Sequence, residues 1–155
     1  MSETGMDTQE RVQSQLAEPE ADGPVVGIIM GSKSDMDEMQ KAGDILEQAE
    51  VRYEIEVMSA HRDPVRVADY CQTARQRGLR VIIAGAGLSA ALPGVAAAHT
   101  DLPVIGVPLS SRLSAAGGLD AILSIAQMPP GVPVACVGLD NPRNAAHLAV
   151  RILGI

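Results

Sequence analysis

The chain opens on a stretch with no apolar period. Residues 1–23 carry mainly Glu, Gln, Ser, Asp and Gly, and no regular element built from them would have an apolar face. They read as a disordered extension. From Pro24 the pattern changes. Residues 24–30 (PVVGIIM) form a short continuous apolar run ending at Gly31, the mark of a strand buried on both faces. Residues 34–50 predict a helix, with Met36, Met39, Gly43, Leu46 and Ala49 on one face and Ser34 and Asp37 as a capping pattern. Residues 52–58 alternate Tyr53, Ile55 and Val57 with polar positions, a second strand. Asp63-Pro64 then opens a helix, Asp as N-cap and Pro in the first turn, that runs to about Arg77 and stops at Gly78.

The remaining pattern predicts a third strand at 79–84, a Gly/Ala loop and a short helix at 93–99. A fourth strand follows at 103–107, a helix at 118–126, a fifth strand at 132–137 and a final helix at 142–153. Five βα units of this kind predict a three-layer α/β/α domain over 24–155, a flavodoxin-like doubly wound parallel sheet covered on both faces.

Composition narrows the function. The 155 residues are 46% hydrophobic, yet include two Tyr and no Phe or Trp. This argues against a module that stacks bases on aromatic rings, and a net charge of -7 argues against a nucleic-acid backbone as partner. A small anionic ligand remains compatible, because a few local donors suffice for one phosphate. Cys71 and Cys136 lie in apolar segments, with no CxxC and no Cys/His cluster, so they read as core residues of a reducing compartment. No apolar run approaches the ~20 residues a membrane span needs, and no basic start precedes a hydrophobic stretch. The expected compartment is the cytoplasm, with no membrane partner.

In doubly wound sheets ligands bind beyond the carboxyl ends of the strands, at the point where strand order reverses. The unusual loops of this chain fall there. The first, Gly31-Ser32-Lys33-Ser34-Asp35, offers a tight turn, two hydroxyls and helix-terminal N–H groups for a phosphate, and Asp35 as acceptor for ribose hydroxyls. Alone it is explained equally well by a turn and a helix cap, and it matches neither GxxxxGK[ST] nor GxGxxG. The second, Ser59-Ala60-His61-Arg62-Asp63-Pro64, is more informative. His61 can carry a proton either way near neutrality, Arg62 can pair with phosphate or carboxylate, and Ser59 adds a hydroxyl. The third, 84–94, offers backbone N–H groups and small residues, suited to a flat heterocycle or to tight packing of loop on loop. His99 and His147 read as structural. No metal cluster, no Ser/His/Asp triad and no paired carboxylates stand out, so these residues leave the reaction type open.

Taken together and in order, the motifs resemble the PurE family, the N5-carboxyaminoimidazole ribonucleotide mutases of bacterial and archaeal purine biosynthesis. The likeness spans about residues 24–154: MGSKSD at 30–35, SAHRDP at 59–64, LPG at 92–94, LPVIGVP at 102–108 and GLDAILSIAQMPPGVPVACVG at 118–138. The resemblance implies an isomerase without metal or organic cofactor, assembled as a homo-octamer with sites at subunit boundaries. It implies that His61 is the acid/base group and that Ser32 and Arg62 contact phosphate or substrate. It gives Asp35 the ribose and Gly85, Ala86 and Gly87 the base. Two positions depart from the family pattern: Met36 stands where Trp is usual, and Ala91 where a second His is usual. The alternatives are a phosphoribosylaminoimidazole carboxylase using CO2 directly and a non-catalytic nucleotide-binding paralogue. A flavodoxin-like electron carrier is disfavoured, since the chain has almost no aromatics to stack on a flavin.

Overall fold

The computed structural model describes residues 21–154. Its strands are β1 (Val26–Met30), β2 (Tyr53–Val57), β3 (Val81–Gly87), β4 (Val104–Leu109) and β5 (Ala135–Cys136). Its helices are α1 (Met36–Gln48), α2 (Pro64–Thr73), α3 (Leu92–Ala98), α4 (Leu119–Ala126) and α5 (Pro142–Leu153). The strands form one parallel sheet in the order β2-β1-β3-β4-β5. Order reverses between β1 and β3, so the loops after these two strands flank the crevice, as the sequence predicts.

Successive side chains of a strand point to opposite faces, and both faces here are apolar. Ile28, Ile83, Ile105 and Val107 pack with Met39 and Leu46 of α1 and Ala145, Ala146 and Ala149 of α5. Ile29, Ile82 and Ala84 pack on the other side with Val67 and Cys71 of α2, Ala96 of α3 and Ile125 of α4. The three layers follow directly. The sheet is closely spaced against its helices at Gly106, where an added Cβ would lie 2.3 Å from Ile125 Cγ2 and 3.0 Å from Val134 Cγ1. Gly106→Ala is expected to destabilise the fold by about 1–3 kcal/mol through overpacking, read as a lower thermal midpoint.

Five features differ from the sequence pattern. The third strand runs to Gly87 rather than Ala84, paired with β4 as far as Gly87↔Leu109. Its glycines are close-approach positions: a Cβ on Gly85 would lie 2.5 Å from Met39 Sδ, and one on Gly87 2.8 Å from Leu109 O. Gly85, Ala86 and Gly87 therefore belong to a strand end, not to a loop. The fourth strand likewise extends to Leu109. The fifth is only Ala135–Cys136, because Gly131 has φ 92 and Pro133 cannot donate to a ladder. Ser34 and Asp37 do not cap α1. Ser32 Oγ instead accepts from Ser34 N (3.3 Å) in a 3-10 turn over Lys33–Asp35, and Asp35 holds the α1 N-cap without a side-chain bond. The second helix ends at Thr73, and turns carry the chain to Gly78 (φ 97).

Asp63 caps α2 as expected, its Oδ1 accepting from Arg66 N at 3.3 Å. Cys71 is buried and Cys136 half-buried, both as free thiols. The extension expected at 1–23 lies outside the described residues except for its end, where Arg52 donates to Ala21 O (3.1 Å) and Gly23 O (2.9 Å). Among the described residues no helix is long and apolar enough to cross a membrane.

Candidate active site

A cleft of about 500 Å3 opens over the carboxyl ends of β1, β2, β3 and β4, within the size range of small-molecule sites. It is built by backbone constraint first. Met58 N donates to Met30 O at 2.7 Å, which extends the β1–β2 pairing beyond the strand ends and brings the two signature loops together. Ser59 O then accepts from Asp63 N (2.9 Å), folding the second loop back into α2. Arg62 joins the two loops: its Nη2 donates to Gly31 O at 2.8 Å and its Nε to Ser59 Oγ at 3.4 Å, while its own N–H donates to the same hydroxyl at 3.2 Å. Ser32 and Ser34 share a hydroxyl–hydroxyl bond of 2.9 Å in the first loop.

Ser32, Asp35, Ser59, His61, Arg62, Ala86 and Gly87 all line this one cleft. Gly85 does not; it is buried beneath, against Met39, where its lack of a side chain lets α1 approach the sheet. The ionisable residues among the described lining are Asp35, His61 and Arg62. His61 is exposed, and among the described residues no hydrogen bond holds its ring. It is thus open to a ligand entering the cleft. His99 and His147 lie elsewhere; His99 Nδ1 sits 3.3 Å from Gln72 Nε2 at the end of α3, and His147 is exposed on α5. Ala91 lines the cleft at the α3 N-cap, and Met36 opens α1, half-buried.

Burial raises the Asp35 carboxyl above its ordinary value. A raised folded-state value means that the ionised form opposes folding: the cost is absent below the ordinary pKa and complete above the raised one. Asp35→Asn is therefore expected to leave the thermal midpoint at pH 7 unchanged or higher. The gain over wild type should vanish as pH falls below the ordinary carboxylate value. Ligand affinity should drop in the same variant, which separates a retained functional charge from a structural one.

An adjoining hollow of about 410 Å3 shares Arg62 with the cleft and carries Lys33, Arg62 and Arg66 with Ser32, Ser59 and the Asp63 carboxylate, which caps α2. Arg66 is partly neutralised by Glu56 at 2.9 Å. Together with Ser32 and the N–H groups of the first loop, this is the cationic end of the site.

The structure also adds a wall that the motifs do not single out. Ser110, Ser111 and Leu113, after β4, line the cleft opposite His61's loop. The only available signal is that Pro108-Leu109-Ser110-Ser111 ends a strand next to the crevice. Asp140, which holds Ser110, carries no signal in sequence, since it lies 30 residues away in the loop before α5.

A family model described as AIR carboxylase matches residues 25–155. The chain belongs to the AIR carboxylase family. Similar members include the N5-carboxyaminoimidazole ribonucleotide mutase of Pyrococcus abyssi, 59% identical over 132 residues, covering 85% of this chain and 75% of that one. The phosphoribosylaminoimidazole carboxylase of Schizosaccharomyces pombe is 51% identical over 154 residues, which is 99% of this chain but 28% of the yeast protein. Among solved structures, PurE from Treponema denticola superposes with a TM-score of 0.73 at 34% identity, covering 84% of this chain and 80% of that one. The AIR carboxylase fold is thus shared across the described domain, and the resemblance read from the motifs holds.

Proposed function

We propose that this chain is an N5-carboxyaminoimidazole ribonucleotide mutase, an isomerase of purine biosynthesis that moves a carboxyl group from the exocyclic N5 nitrogen to ring carbon C4. The observation that carries the reading is the convergence of the two signature loops and the β3 end on one cleft, where His61 is exposed and would serve as the acid/base group. The 59% identity to the Pyrococcus abyssi mutase supports the same activity.

The phosphate would sit at the Ser32 and Arg62 end, within reach of Lys33 and Arg66 in the adjoining hollow. Asp35 and Ser59 would take ribose and neighbouring hydroxyls, and the backbone of Ala86 and Gly87 would lie along the base. Protonated His61 gives its proton to the carbamate nitrogen. The N5–carboxyl bond breaks, leaving an amine and CO2 held in the cleft. Ring carbon C4 attacks that CO2, and neutral His61 takes the C4 proton, so the histidine ends as it began. Excluding water keeps CO2 beside the ring.

Assembly is part of the proposal. Leu88 and Leu113 are 43% and 70% exposed at the rim of the cleft, and Leu119 and Leu123 are 47% and 48% exposed on α4. Such apolar surface around a site favours burial between subunits, here in a cytoplasmic homo-octamer. Turnover is to be compared with two substrate sets, carboxyaminoimidazole ribonucleotide alone and aminoimidazole ribonucleotide with bicarbonate. Preferential use of the first supports the mutase. Efficient use of only the second makes the protein a direct carboxylase, and binding without turnover makes it a nucleotide-binding paralogue.

A further inference from the structure

We infer that Asp140 is a positioning residue that fixes Ser110 as a hydrogen-bond acceptor for the exocyclic amino group of the substrate's imidazole ring. The inference rests on the mutase reading and deepens it. Asp140 stands in the loop between β5 and α5 with φ 52, a left-handed conformation that Asp tolerates better than most residues. Backbone departures of this kind gather where a local geometry matters more than its cost. The conformation is fastened by Asp140 N donating to Pro108 O at 2.8 Å. The side chain then reaches the end of β4, where Oδ1 accepts from Ser110 N at 2.8 Å and Oδ2 accepts from the Ser110 hydroxyl.

The consequence is chemical. A serine hydroxyl has one hydrogen and two lone pairs, and its rotor normally adapts to whatever faces it. A carboxylate can only accept, so Asp140 takes the single Ser110 hydrogen. What Ser110 Oγ offers to the cleft is lone pairs, which discriminate in favour of an N–H donor and against an acceptor. Ser110 lines the cleft with Ala86 and Gly87 of the neighbouring strand, on the side away from the cationic end. With phosphate and ribose held near Arg62 and Asp35, the edge of the base reaches Ser110, and the N–H donor on that edge is the exocyclic nitrogen.

The test compares Asp140→Asn and Ser110→Ala with wild type on carboxyaminoimidazole ribonucleotide, with thermal unfolding of each. In Asp140→Asn the side-chain carbonyl oxygen would still accept the Ser110 N–H. The new amide nitrogen would donate to Ser110 Oγ and turn the hydroxyl hydrogen into the cleft. Both variants are expected to raise KM about tenfold with kcat changed less than about threefold and the unfolding midpoint unchanged. A residue that only fastens the loop predicts otherwise: Asp140→Asn would keep wild-type KM while Asp140→Ala lost it. Wild-type KM in Asp140→Asn or Ser110→Ala, or a loss confined to kcat, overturns the assignment while leaving the mutase reading intact. A wild-type protein that does not turn over this nucleotide overturns both.

Discussion

His61→Asn is expected to lower kcat by about 10²–10⁴-fold while leaving nucleotide affinity within a few-fold of wild type. Asn is nearly isosteric with part of the imidazole and can hydrogen-bond, but it can neither give nor take a proton near neutrality. In the reaction as written, one group must protonate N5 and then deprotonate C4, so losing it blocks both halves. The cleft offers no ready substitute, since a guanidinium does not give up a proton in proteins and Asp35 stands on a different loop, the one after β1. The fold should be indifferent, because His61 is exposed and its ring holds no partner among the described residues. Single-turnover rates together with a binding titration separate the two effects. Turnover near wild type in this variant would remove His61 from the mechanism.

Arg62→Lys is the second large effect. The guanidinium ties Gly31 O to Ser59 Oγ through two different nitrogens, at 2.8 and 3.4 Å, and Arg62 lines both the cleft and the hollow beside it. A lysine keeps the charge but not the planar fork, so it cannot span both loops and face a phosphate at once. Charge-assisted bonds of this type contribute about 1.5–3 kcal/mol, so KM for the nucleotide should rise by roughly 10–150-fold. Arg62→Ala should be no better. Stability should change little, since the side chain is exposed. Equal KM in wild type and Arg62→Lys would show that charge alone suffices.

Most of the layer architecture is legible in the sequence because the strands are buried on both faces. Residues 26–30 and 81–86 are runs without a charged or polar side chain, and only a sheet covered on both sides accepts them. The switch point between β1 and β3 follows from the βα order, and with it the location of Ser32, Asp35, His61 and Arg62 in one cleft. The glycine positions are where local pattern fails. Gly85 and Gly87 suggest a loop by propensity, yet they are strand residues whose missing side chains admit Met39 and the Leu109 backbone. That reason is tertiary, and no local window contains it. The same holds at 132–134, where apolar residues suggest a strand but Gly131 and Pro133 leave a two-residue edge. The Asp140–Ser110 pair is invisible for a different reason: a contact across 30 residues depends on β4 and β5 being neighbours. Ala91 leaves the α3 N-cap without a side-chain bond and adds no ionisable group to the cleft.

The central claim is that the carboxyl group travels within one cleft from N5 to C4. The measurement that tests it most directly starts from substrate carrying ¹³C in the carbamate carboxyl, turned over in buffer equilibrated with unlabelled bicarbonate. Retention of the label in the C4 carboxylate of the product is expected, since CO2 is held beside the ring until C4 captures it. Product carrying the isotope ratio of the buffer would contradict the account and make the protein a carboxylase that draws on free CO2.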